Sequence, residues 1–115
     1  MQNMRRELIN RERLALMPPG GLLINVSRGA VVDTAAVMEA LRSGHLSAVG
    51  LDVLESEPHV PQELRSSPGA MLTPHVAFSS DASLEELRRR AAEEVVRVLS
   101  GQAPQEGRNQ PARRT

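Results

Sequence analysis

Apolar residues fall in short runs separated by glycine, proline and charge, and the spacing alternates between strand-like and helix-like. Residues 1–17 are charged and helix-prone, with Leu8, Ile9, Leu14, Leu16 and Met17 as apolar positions, and Pro18, Pro19, Gly20 and Gly21 stop them. The run Leu22-Leu23-Ile24-Asn25-Val26, bounded by glycine, predicts a buried strand, being too short for a helix. Asp33 is placed to cap a helix over residues 34–43, where Ala36, Val37, Ala40 and Leu41 recur at helical spacing, and Gly44 fits just past its end. A second strand is expected over residues 46–53. Residues 54–69, with three prolines and several charges, then read as a long loop, and loops of that length are usually functional. A third strand, residues 70–73, ends at Pro74-His75. A long helix follows over residues 81–99, with Leu84, Leu87, Ala91, Val95 and Val98 as one apolar stripe, Ser83 and Glu86 as a capping box, and Gly101 as the stop. Residues 102–115 hold too little apolar matter to fold and are expected to be a disordered tail.

Strand and helix in alternation imply an α/β fold with a parallel sheet and right-handed crossovers. Composition agrees. The apolar residues are almost all aliphatic, with one Phe and no Trp or Tyr, which suits parallel strands and their covering helices. At 115 residues one core is the ceiling. Fourteen basic residues balance fourteen acidic ones, which removes the positive field of a dedicated nucleic-acid binder. No cysteine is present, no apolar run approaches the length of a membrane helix, and no signal-peptide pattern opens the chain. A cytoplasmic protein, with neither nucleic acid nor membrane as partner, is expected.

Ligands of open parallel sheets bind beyond the carboxyl ends of the strands, and polar residues stand there: Ser27 and Arg28 after the first strand, Asp52 and Glu57 after the second, His75 after the third. Singly, each has an ordinary reading. An arginine after a strand is more often a surface residue, a histidine after proline a packed loop residue, a glutamate before proline an exposed acid, and Asp52 could simply bond to local backbone. Together they form a chemical set. Imidazole, titrating ordinarily at about pH 6.5, can give or take a proton; a carboxylate beside it favours the imidazolium and fixes the tautomer; and a guanidinium holds a carboxylate in a bidentate fork. Those parts suit the reduction of a 2-oxo acid. His45, His59 and Glu55 read as solvated, Arg88-Arg89-Arg90 as a solvated helix face opposed by glutamates, and no metal-ligand spacing stands out.

The motifs carry a resemblance. Leu23 to Asp33, then Ala40-Leu41-Arg42-Ser43-Gly44-His45-Leu46, Gly50-Leu51-Asp52-Val53-Leu54-Glu55-Ser56-Glu57-Pro58 and Leu72-Thr73-Pro74-His75 resemble, in order, the C-terminal half of the NAD-binding domain of the D-isomer-specific 2-hydroxyacid dehydrogenases. The resemblance runs over about residues 8–101 and implies half of a Rossmann-like, doubly wound sheet, with residues 1–101 as a partial NAD-binding domain. It implies hydride transfer between NAD(H) and a 2-oxo or 2-hydroxy acid. In that scheme Arg28 binds the substrate carboxylate and carbonyl, Glu57 supports the histidine, and His75 is the general acid/base. Ser27, Arg28, Asp52 and His75 lie against the cofactor, Asp52 at the nicotinamide carboxamide. Glu57 argues against the formate dehydrogenase branch, which has glutamine there. The wording of residues 55–58 and 77–85 is similar to the C-terminal-binding-protein branch, although Phe78 stands where that branch usually has Trp. The alternatives are therefore a non-enzymatic NAD-sensing or protein-interaction module, or an inactive truncated product. No Gly-x-Gly-x-x-Gly occurs in the chain, so the pyrophosphate grip and the segment that separates NAD from NADP are expected to be missing. The strand edge thereby left open implies a homo-oligomer or self-association.

Overall fold

Parallel neighbouring strands need a crossover connection, usually through a helix, and the chain makes such a connection twice. The computed structural model describes residues 6–105 and 107, which divide into two compact units, residues 1–77 and 78–115. In the first unit, helix α1 (Arg11–Ala15) leads to strand β1 (Gly21–Asn25), helix α2 (Thr34–Ser43), strand β2 (Leu46–Leu51), helix α3 (Gln62–Ser66) and strand β3 (Ala70–Leu72). The strands form one parallel sheet in the order β1-β2-β3, which is the α/β architecture expected.

Register sorts the side chains onto two faces. Leu23 pairs with Val49 and Asn25 with Leu51, while Val49 pairs onward with Ala70 and Leu51 with Leu72. These residues face a core completed by Ala36, Val37 and Ala40 of α2, Leu14 of α1, Leu64 of α3 and Val32. Burial of such aliphatic side chains stabilises by about 1.5–3 kcal/mol each. Ile24, Gly50 and Met71 make the opposite row. On that face Leu22, Ile24 and Met71 are 64%, 71% and 72% exposed, so the strand expected to be buried has one covered face and one bare.

Helix α2 has the expected bounds. Asp33 accepts the Ala36 amide and Gly44 ends the helix at φ 77°, a left-handed conformation that glycine adopts without a Cβ penalty. The N-terminal expectation is corrected. Among the described residues of that stretch only Arg11–Ala15 is helical, started by the Asn10 side chain, which accepts from the Arg13 amide. Ahead of it the chain turns at residues 6–8, Glu7 standing at φ 50°, and the Glu7 and Ile9 amides donate to the Ala30 and Val31 carbonyls. The long loop is also corrected, because it contains α3, whose single buried residue is Leu64.

The second unit is built on α4 (Asp81–Leu99), again with the expected bounds. Its cap lies one turn earlier than expected: Ser80 is the N-cap, bonded reciprocally with Ser83. Leu87, Val95 and Val98 of the stripe are exposed and no α4 residue is buried. Arg89–Glu93 and Arg90–Glu86 ion pairs line the polar side. After α4, the Gln105 amide reaches the Glu94 carboxylate at 3.1 Å. The rest of the expected tail, apart from Gly107, lies outside the described residues. Among the described residues no helix is long and apolar enough to cross a membrane.

Candidate active site

Where a parallel strand ends, its last polar groups must find partners outside the ladder, and three such ends lie side by side here. After β1 the chain turns around Asn25, which is buried. Its carboxamide oxygen accepts the Ser27 amide and hydroxyl, at 3.1 and 3.0 Å, and its NH2 donates to the Arg28 carbonyl at 3.0 Å. This places Ser27 and Arg28 at the carboxyl end of the sheet, both exposed. The Arg28 guanidinium donates to the Ser27 carbonyl at 2.7 Å. Among the described residues no hydrogen bond or ion pair joins it to Glu57 or His75.

Asp52 is the first residue past β2, buried, and its carboxylate gathers the turn after β3. Oδ1 accepts the Thr73 hydroxyl at 2.6 Å and the Val76 amide at 2.9 Å, and Oδ2 accepts the Ala77 amide at 3.0 Å. The Thr73 hydroxyl, aided by the Ala77 and Val76 amides and opposed by burial, holds this carboxyl below its ordinary value. Three of its roughly four acceptor positions are thus occupied within the protein, and the fourth lies on Oδ2.

The turn that Asp52 holds carries His75. Its φ is 57°, in the left-handed region that a non-glycine residue enters only when its surroundings impose it. The ring Nδ1 lies 2.8 Å from Glu57 Oε2, while Glu57 Oε1 accepts the Leu54 amide at 3.0 Å. The bond to His75 first, then that to Leu54, holds the Glu57 carboxyl below its ordinary value. Both side chains are partly open to solvent, at 43% and 38%. With Nδ1 engaged, Nε2 faces away from Glu57 and is the nitrogen available for proton exchange.

The structure therefore joins Glu57 with His75, links Asp52 to the His75 turn, and sets Ser27 and Arg28 at the neighbouring strand end. Two residues escaped sequence reasoning. Asn25, which organises the arginine turn, had one signal, an amide inside an otherwise apolar strand. Glu55 was expected to be solvated, and is exposed, but its Oε1 accepts the Thr34 amide at 2.7 Å. His45 is likewise not simply solvated, since its Nε2 meets the Leu14 carbonyl oxygen at 2.7 Å. Among the described residues no group of three or more His, Cys, Asp or Glu could hold a metal ion.

A hydroxyl, a guanidinium and an imidazole at adjoining strand ends are donors matched to a carboxamide and a carboxylate, so they fit the nicotinamide end of a dinucleotide and its acidic substrate. The family profile described as D-isomer specific 2-hydroxyacid dehydrogenase, NAD binding domain, matches residues 1–77. The chain belongs to that family.

The cofactor of this dehydrogenase family is a nicotinamide dinucleotide. Glyoxylate reductase of Thermococcus onnurineus is 39% identical to the dehydrogenase-family chain over 97 residues, covering 84% of the chain and 29% of the reductase. The chain thus spans less than a third of the length of that relative. A D-isomer specific 2-hydroxyacid dehydrogenase from Xanthobacter autotrophicus, solved with NADPH and MES, superposes with a TM-score of 0.79 at 38% identity, covering 91% of the chain and 43% of that structure. The apo D-mandelate dehydrogenase of Rhodotorula graminis gives a TM-score of 0.84 at 31% identity, covering 93% and 31%. These likenesses lend no support to the corepressor-type branch suggested by residues 77–85, nor to a non-enzymatic module.

Proposed function

We propose that residues 1–101 are a partial NAD-binding domain that supplies the acid/base and substrate-binding groups of an NAD(P)-dependent reductase of small 2-oxo acids, in the manner of the glyoxylate reductases. The observation that carries this reading is the hydrogen-bonded Glu57–His75 pair at the carboxyl end of the sheet. The dinucleotide, when bound, supplies the hydride. Arg28 would hold the substrate carboxylate in its fork and polarise the neighbouring carbonyl. His75 would deliver the proton from Nε2 to the carbonyl oxygen as it becomes a hydroxyl, and recover it in the reverse direction. Glu57 keeps Nδ1 as the bonded nitrogen, so the ring faces the substrate in one tautomer. Ser27, Arg28, Asp52 and His75 would line the nicotinamide end, with the remaining acceptor of Asp52 directed to the carboxamide. These 115 residues hold no glycine fingerprint with which to grip the pyrophosphate. Alone, the chain is expected to bind NADH weakly and to turn over no 2-oxo acid.

The test is a chimera in which this chain replaces the matching segment of the Thermococcus onnurineus glyoxylate reductase, assayed by NADH and NADPH oxidation with glyoxylate, pyruvate and hydroxypyruvate. Turnover is expected. His75→Ala should lower kcat by about 100-fold or more, and Arg28→Ala should act mainly on KM. A folded chimera that binds NADH without turnover refutes the reading.

A further inference from the structure

We propose that Gly29 and Glu55 are positioning residues that couple the Arg28 turn to the Glu57–His75 pair through Leu54. The proposal rests on the reductase reading above, in which Arg28 and His75 must meet one small substrate.

Gly29 follows Arg28 directly. A Cβ at this position would overlap the carbonyl carbon and oxygen of Leu54 and lie 2.5 Å from the Glu55 nitrogen. Those are backbone atoms, so no rotamer change relieves the overlap. Gly29 is not among the residues with positive φ, so the need for glycine here is close approach of two segments of the chain, not an unusual conformation. Leu54 is itself fixed: its side chain packs against the core, and its own N–H, which belongs to the peptide preceding the one Gly29 abuts, donates to Glu57 Oε1 at 3.0 Å. Glu57 Oε2 then engages His75. A continuous series of contacts runs from the arginine turn, through Leu54 and Glu57, to the imidazole.

Glu55 closes the same junction from its other side. Its carboxylate accepts the Thr34 amide at 2.7 Å, a free N–H of the first turn of α2, where a negative charge is also favoured by the helix dipole. The segment from Arg28 to Thr34 is thereby held to the segment from Leu54 to Glu57 at two points. A 2-oxo acid presents its carboxylate and its carbonyl oxygen on adjacent carbons, and effective catalysis needs the groups facing them at a fixed separation. Here that separation is set by backbone contact and one carboxylate, with no direct bond between Arg28 and His75.

The competing interpretation makes Glu55 a helix cap and nothing more. Glu55→Ala and Glu55→Gln separate the two, because both remove the same charge and only glutamine keeps an acceptor for Thr34. The experiment is NMR on the isotope-labelled 115-residue chain without ligand, following the Glu57 carboxyl carbon through acid pH and the Gly29–Leu54 nuclear Overhauser contact. Unchanged Val37 and Leu46 methyl shifts establish that the core is intact. Glu55→Ala is expected to lose the Gly29–Leu54 contact and to move the Glu57 midpoint up, towards the ordinary glutamate range, relative to Glu55→Gln. Gly29→Ala, where it folds, should raise the midpoint in the same direction. Where it does not fold, the Glu55 pair decides alone. Equal midpoints in Glu55→Ala and Glu55→Gln, with the contact retained in both, overturn the proposal and leave Glu55 a cap. Because the readout needs neither cofactor nor substrate, equal midpoints with the contact retained beside an active chimera defeat this inference only, and the expected Glu55 difference beside an inert chimera defeats the reductase reading only.

Discussion

Thr73 donates its hydroxyl to Asp52 Oδ1 at 2.6 Å, tying the first residue after β3 to the first residue after β2. The same carboxylate takes the Val76 and Ala77 amides, so the turn bearing His75 hangs from Asp52. Asp52→Asn puts an NH2, which cannot accept, in place of one oxygen. It is expected to loosen residues 74–77 while the core stays folded. Hydrogen exchange checks this: the Val76 and Ala77 amides should lose protection in the variant, and equal protection would remove Asp52 from its role in holding the turn.

The two depressed carboxyls contribute to the acid limb of stability. Asp52, bonded to Thr73, and Glu57, bonded to His75, both titrate below their ordinary values in the folded protein. Each therefore contributes stability that is fully present above the unfolded carboxylate range, at about pH 4, and is lost as pH falls through the lower folded value. Denaturant unfolding followed from neutral to strongly acid pH should show that loss, and the Asp52→Asn, Glu57→Gln double variant should flatten it. An acid limb equally steep in the double variant would contradict the assignment.

Leu46 is 1% exposed and belongs to the cluster joining α2 to the sheet. Leu46→Ala removes buried methyl groups and leaves a cavity, at a cost of about 2–5 kcal/mol. A small domain is stable by only about 5–15 kcal/mol, so thermal unfolding should shift strongly downward. Ile24→Ala on the bare face should change monomer stability much less. Similar shifts in the two variants would mean that the faces are assigned wrongly.

Strand β1 lies at the edge of the sheet, and Leu22 and Ile24 are exposed beside that edge. An apolar edge with free backbone donors and acceptors is a template for pairing. The 115-residue chain is expected to self-associate in a concentration-dependent manner, and Ile24→Lys should shift it towards monomer. Sedimentation velocity reads both. A wild-type chain that stays monomeric at high concentration would sink the expectation.

Elements whose boundaries are signalled within a few residues were readable from sequence. Helix α2 shows a cap at Asp33, an apolar period and a terminal glycine, and α4 has enough turns for its period to stand out. Helix α3 was not readable, because five residues with one buried leucine have no period to detect. The bonding of the Glu7 and Ile9 amides to residues 30–31 was equally hidden, since it depends on a partner more than twenty positions away. In the site, the carboxyl-end rule placed Ser27, Arg28, Asp52 and His75 correctly at strand ends. The ordinary reading of Asp52, an acid at a strand end that caps a neighbouring turn, anticipated its bonds to the Val76 and Ala77 amides, but nothing revealed that Asn25 and Glu55 organise the turn and the loop. The Glu55 contact joins segments distant in sequence, and residue type alone does not disclose it.

His75 stands at φ 57°, where a side chain costs about 1–2 kcal/mol that glycine would not incur. Its partly exposed pairing with Glu57 returns little of that in stability. Position 75 is consequently a site of opposed selection. A library sorted for heat tolerance alone should accumulate glycine and asparagine there, and one sorted for turnover in the chimera should retain histidine. Sequencing the two pools would expose a trade-off between durability and chemistry written into a single codon.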